Sequence, residues 1–188
     1  MFGTALGLAV LAAAATTGPA RADDSDGGGG ELYQLVDAAA QRLQTADPVA
    51  AAKWLNGGPI TDPARVQQVL AAVSAEADSS GLPGDYVTTL FTDQINATEA
   101  IQYSRFAGWK LNPATAPVAA PDLSASRAQI DGLNQRMLEE IAEELTVLRS
   151  PDCPSRLDAA KSTVAAQRGL DPLYQQALDA ATRSYCPR

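Results

Sequence analysis

The sequence contains no histidine. That excludes Ser–His–Asp and Cys–His nucleophile systems and most catalytic zinc sites, which need an imidazole as base or ligand. There are two cysteines, Cys153 and Cys186, too few for the usual four ligands of zinc. Gly27 to Gly30 is an isolated glycine run, not a GxxxxGK phosphate loop after a strand. Runs that alternate apolar and polar residues are missing and β-branched residues are few, which argues against a sheet. Basic residues are the minority, 14 Lys and Arg against 22 Asp and Glu, for a net charge of −8. A chain of that sign is a poor partner for nucleic-acid phosphates or anionic lipid. What remains is chemistry by carboxylates, or by fixed hydrogen-bond donors and charges.

The long apolar run lies at the start, from Phe2 to Ala15, and Ala20-Arg21-Ala22 follows with the A-x-A spacing of a signal-peptidase site. The run is short for a transmembrane helix, and no cysteine follows it to carry a lipid. Residues 1–22 are therefore expected to be a signal peptide cleaved near Ala22-Asp23. Residues 23–30 then form a disordered Asp- and Gly-rich tail, and residues 31–188 a single domain. The product would be secreted or periplasmic, with no membrane attachment after cleavage. In an exported chain an even cysteine count favours a Cys153–Cys186 disulfide, with two buried thiols or a metal site as alternatives. Closing a loop of about 34 residues would contribute about 3 kcal/mol.

The organising stretch is Tyr86 to Leu111, free of Gly and Pro until Gly108. Val87, Leu90, Phe91, Ile95, Ala97, Ala100, Ile101 and Phe106 recur mostly at three- and four-residue steps, which predicts a helix with a wide buried face. Asp85 stands before it as an N-cap candidate. Helices are also predicted over Glu31–Thr45, Val49–Leu55, Asp62–Ala77, Asp122–Leu148, Cys153–Arg168 and Asp171–Tyr185. Asp-Pro occurs at Asp47, Asp62 and Asp171, the preferred N-cap and first-turn pair. The fold class is all-α, a single-domain bundle of about six helices whose last two would be tied by the cysteines.

Several polar residues sit in poor places for a solvated group. Thr98 and Gln102 lie one turn apart beside the apolar face of the central helix. Arg42 and Lys53 are eleven residues apart; at 100° per residue both would share one face of a continuous helix, unless Pro48 bends it. Asp62 and Arg65 are neighbours on the first turn of the next helix. Arg127 stands between Leu123 and Ile130. Each cation alone reads as a surface residue; together they could build a positive pocket inside a negative protein, for a small polyanion.

Arg42, Lys53, Asp62, Arg65, Thr98 and Gln102 at these spacings resemble the all-α chorismate mutases. The strings VDAAAQRLQTADPVAAAKW, DQINATEAIQYSRFAGWKLNP and DLSASRAQIDGLNQRML, with the tail SYCPR, resemble the secreted (gamma) subclass of mycobacteria and other actinobacteria. The resemblance implies a Claisen rearrangement of chorismate to prephenate, with no cofactor, metal or covalent intermediate, in a homodimer. By the same resemblance Arg42 and Arg127 hold the two carboxylates with Thr98 adding a hydroxyl donor. Arg65 anchors that end of the pocket, Asp62 meets the ring hydroxyl, and Lys53 and Gln102 donate to the ether oxygen. Lys53, Gln102 and Arg127 are the residues expected to act on the transition state. Two positions depart from the pattern: Gln102 stands where secreted members can carry Glu, and Val66 where intracellular members often carry a Glu for the ring hydroxyl. The readings from other classes are an exported helical binding protein for a small dianion or partner, and a carboxylate-based hydrolase centred on Asp62.

Overall fold

The computed structural model describes residues 30–187, together with Met1. The expected signal peptide except for Met1, and all of the expected Asp- and Gly-rich tail but Gly30, lie outside the described residues. Within them the chain forms α1 (Tyr33–Gln44), α2 (Ala46–Asn56), α3 (Pro63–Ser79), α4 (Gly84–Leu111), α5 (Leu123–Glu143), a short α6 (Leu145–Leu148), α7 (Cys153–Arg168) and α8 (Pro172–Thr182). A 3-10 turn at Pro113–Thr115 follows α4, and no strand occurs among the described residues. The expected all-α class is what is found. No helix of the described residues is long and apolar enough to cross a membrane.

The central helix α4 has 28 residues and so runs roughly 42 Å. It packs against α1, α2, α3 and α8, burying Val87, Leu90, Phe91, Ala97 and Ile101. Helix α1 is the other hub, in contact with α4, α5, α7 and α8. Its run Ala38, Ala39 and Ala40 is fully buried; small side chains let neighbouring helices approach on more than one side. Leu35, Val36 and Leu43 are buried with them.

Caps set where the helices start. Asp62 accepts from the Arg65 N–H at 3.1 Å, Asp171 from the Tyr174 N–H at 2.9 Å, and Asp122 from the Ser124 N–H at 3.1 Å. Each satisfies a donor with no intrahelical partner, worth about 1 kcal/mol. The third Asp-Pro pair behaves differently. Helix α2 starts at Ala46, so Asp47 is already inside it, and its carboxylate pairs with Arg105 at 2.7 Å instead of capping. Asp85 likewise falls inside the first turn of α4, which begins at Gly84 and has no side-chain cap; there it complements the positive helix end. The long helix expected over Asp122–Leu148 is interrupted at Glu144, which leaves α6 as a separate turn.

Cys153, the first residue of α7, is bonded to Cys186 beyond α8, with Cα atoms 5.7 Å apart. The C-terminal segment is held by more than the disulfide. Arg183 and the Ser184 hydroxyl both reach the buried Asp93 carboxylate on α4, and the Tyr86 hydroxyl donates to the Tyr185 carbonyl.

Candidate active site

Five helices, α1 to α5, converge on one cavity of about 690 Å³ of empty space, a figure that includes its open mouth. Its lining brings together all seven residues singled out from the sequence: Arg42, Lys53, Asp62, Arg65, Thr98, Gln102 and Arg127. The walls between them are apolar: Val49, Val66, Val69, Ile95, Leu123 and Ile130, with Ile60 at one end. Glu99 is the second acid in the lining beside Asp62, so four cations face two carboxylates.

Arg42 and Lys53 share this cavity because α1 runs into α2 almost without a break. Only Thr45 separates them, in a right-handed helical conformation, with the Thr45 hydroxyl on the Arg42 carbonyl at 2.7 Å. The Val49 N–H still reaches the Thr45 carbonyl at 3.2 Å. The interruption falls one turn before Pro48, whose missing N–H leaves the Gln44 carbonyl unmatched. After Lys53 the chain must reverse quickly. Gly57 does so at φ 69, the left-handed helix end that glycine adopts without strain. The reversal returns Ile60 and Asp62 to the cavity, and the Lys53 ammonium donates to the Ile60 carbonyl at 2.6 Å. Two of its three hydrogens remain for other partners.

The buried guanidinium of Arg42 is held at two points. Its Nε donates to Asn134 Oδ1 at 2.7 Å and Nη1 to the Thr98 hydroxyl at 3.3 Å. Thr98 in turn donates to the Gln94 carbonyl at 2.7 Å, so its one proton is committed inside its own helix. Burial pulls the Arg42 pKa down to about 10; nearby Arg65 acts the same way, against Tyr185 and Asp131. It still carries full charge at neutral pH. Burial also lowers Lys53, with Arg127 adding to the effect and Glu99 and Asp62 opposing it.

The other cations are placed differently. The Arg65 guanidinium leaves the capping Asp62 to the backbone and pairs with Asp131 of α5 at 2.8 Å and Gln68 at 2.9 Å. Arg127 is exposed, one turn into α5 at the cavity mouth. Gln102 is buried; its Nε2 makes one long contact, 3.4 Å to the Thr98 carbonyl, and its Oε1 has no partner. An unmatched buried amide oxygen costs about 1–3 kcal/mol, and Gln94 Oε1 and the Tyr185 hydroxyl are likewise without a partner.

Sequence reasoning missed Asn134, Asp131, Glu99 and the Ile60 carbonyl. Asn134 and Asp131 stand behind the cavity wall, on the α5 face that carries Arg127 and Ile130, and reach Arg42 and Arg65 from there.

The cavity gathers four cationic and two acidic side chains inside an all-α bundle. Comparison with known proteins identifies the class. Residues 33–103 match the family model "Chorismate mutase type II". The chain is 54% identical over 179 residues to a secreted chorismate mutase of Mycobacterium tuberculosis, covering 94% of this chain and 88% of that protein. It is 53% identical to a secreted chorismate mutase of Mycolicibacterium smegmatis, covering 95% and 96%. Among solved structures, a chorismate mutase from Burkholderia thailandensis superposes with a TM-score of 0.79 at 35% identity, over 83% of this chain and 99% of that one. The chain belongs to the chorismate mutase family.

Proposed function

We propose that this chain is an exported isomerase that converts chorismate to prephenate by electrostatic and conformational stabilisation of the transition state. The observation that carries the reading is the convergence of Arg42, Lys53, Thr98, Gln102 and Arg127 on one cavity. Chorismate carries two carboxylates. Arg42 at the closed end and Arg127 at the mouth take one each, and a planar guanidinium grips a carboxylate at two points. Arg65 adds positive charge at the same end, while Asp62 and its flanking backbone meet the ring hydroxyl, since Val66 has no polar group to offer.

In the rearrangement the ether C–O bond breaks as a C–C bond forms within one molecule, and negative charge builds on the ether oxygen. Lys53 and Gln102 donate to that oxygen. Both are partly or fully withdrawn from water, where a fixed donor is worth most. The arginines hold the flexible substrate compact before reaction, which removes rotational freedom in advance. A millionfold acceleration requires about 8 kcal/mol. Two donors at roughly 3 kcal/mol each plus conformational restraint reach that size.

The test is direct. Purified protein is mixed with chorismate and the loss of the substrate's ultraviolet absorbance is followed. Acceleration over the uncatalysed rate is the expected result. Binding of chorismate with no acceleration would replace this reading with that of an exported binding protein.

A further inference from the structure

Arg42 is the one arginine in the buried class among the described residues, and its surroundings are unlike those of the others. Arg65, Arg105, Arg168 and Arg183 each meet a carboxylate: Asp131, Asp47, Asp37 and Asp93. Arg42 meets two neutral oxygens, of Asn134 and Thr98. A buried cation without an anion is costly, because it has given up water without gaining a counter-charge. Asn134 is itself buried. It holds its oxygen to the guanidinium because Nε can only donate.

We propose that Asn134 is a positioning residue for the reaction, which fixes the orientation of Arg42 while leaving its charge free for a substrate carboxylate. This rests on the reading of the cavity as the chorismate site. Asn134 occupies the Nε edge of the guanidinium, so the side-on grip through Nε and Nη2 is closed. The substrate carboxylate meets the Nη1–Nη2 end instead. An aspartate at 134 would orient the group equally well but would pre-empt the anion site. A leucine would fill the space and orient nothing. The amide supplies an acceptor of zero net charge, which separates orientation from neutralisation.

Two variants of the full chain test this, Asn134→Leu and Asn134→Asp, with two readouts. The first is the Arg42 Nε–H signal in nitrogen-15 NMR, assigned by its loss in Arg42→Lys. It is expected to be protected from exchange in the wild type and in Asn134→Asp, and unprotected in Asn134→Leu. The second is steady-state kinetics with chorismate. Asn134→Leu is expected to lose about 10- to 100-fold in kcat/KM, the effect of a misaligned group. Asn134→Asp is expected to raise KM by at least about tenfold with kcat nearly retained, since the new anion repels the substrate's. Should Asn134→Leu fail to fold, the KM-against-kcat split of Asn134→Asp decides alone. A wild-type Nε–H that exchanges freely, protection that survives in Asn134→Leu, or kcat/KM within twofold of wild type in either folded variant overturns the proposal. A wild type that shows the protected Nε–H but does not turn over chorismate overturns the functional reading, and the positioning role with it.

Discussion

Replacing Gln102 by glutamate isolates the donor to the breaking bond. The two side chains have nearly the same shape, but an amide N–H donates at any pH and a carboxyl donates only when protonated. Gln102 is buried, its oxygen has no partner and its nitrogen makes one long bond, so little else in the site depends on it. A carboxyl of ordinary pKa, about 4.3, costs about 4.4 kcal/mol to protonate at pH 7.5. Burial raises that pKa, and Lys53 and Arg127 in the same cavity lower it. A single well-placed donor contributes about 3–4 kcal/mol to kcat. Protonation at neutral pH therefore costs at least what the bond returns. The glutamate variant is expected to lose about 100- to 1,000-fold at pH 7.5 and to recover about tenfold for each unit of acidification until its carboxyl is protonated. The wild type has no histidine and is expected to be flat from mildly acidic to neutral pH. The assay is kcat for both proteins over pH 4.5 to 8, with chorismate saturating. Parallel profiles would refute the assignment of Gln102 as donor to the ether oxygen.

Lys53→Ala removes the second donor and is expected to lower kcat by about 100-fold or more while a dianion still binds, more weakly, by calorimetry; a kcat within tenfold of wild type would place the charge stabilisation elsewhere. Reducing the Cys153–Cys186 bond is expected to destabilise the fold by about 3 kcal/mol, read as a lower midpoint in denaturant, and an unchanged midpoint would show that Asp93 and Tyr86 alone hold the C-terminal segment. Burial raises the phenols of Tyr86, to about 12, and of Tyr174 and Tyr185. Their folded pKa values lie above the unfolded value of about 10, so their contribution is complete below pH 10 and lost as pH climbs towards 12; unfolding free energy that stays level from pH 9 to 11.5 would contradict this burial.

The helices were legible because their signals are local. Three- and four-residue apolar steps mark α4, and Asp62-Pro63 and Asp171-Pro172 start α3 and α8 where the sequence says they should. The same dipeptide at Asp47-Pro48 misleads, because α1 approaches without a loop and the helix resumes before the aspartate. That aspartate is drawn to Arg105, 58 positions away, and no local rule sees such a partner. The site divides in the same way. Arg42, Lys53, Asp62 and Arg65 fall into place through spacing along neighbouring helices. Asn134 is 92 positions from Arg42, and a mid-helix asparagine carries no sign of what it will touch. Thr98 shows the remaining gap: its position was legible, but the commitment of its proton to Gln94 is a matter of three-dimensional hydrogen bonding.

An acidic chain that binds a dianion must reconcile two signs of charge, and the arrangement of the cations does so by distance. At physiological ionic strength the repulsion from the net charge of −8 fades over a Debye length of about 8 Å. What an approaching substrate meets within that distance is the cavity mouth, where Arg127 is exposed and Arg65 is half-buried. Arg65 is already partly neutralised by Asp131, so Arg127 dominates the entrance. Deeper in, the dielectric is low, and the buried guanidinium of Arg42 is met by neutral oxygens alone. On the proposed reading the closed end is where a charge counts most, while Asp47, Asp131, Asp37 and Asp93 each pair with an arginine other than Arg42. The overall sign of the chain thus says little about what its interior binds.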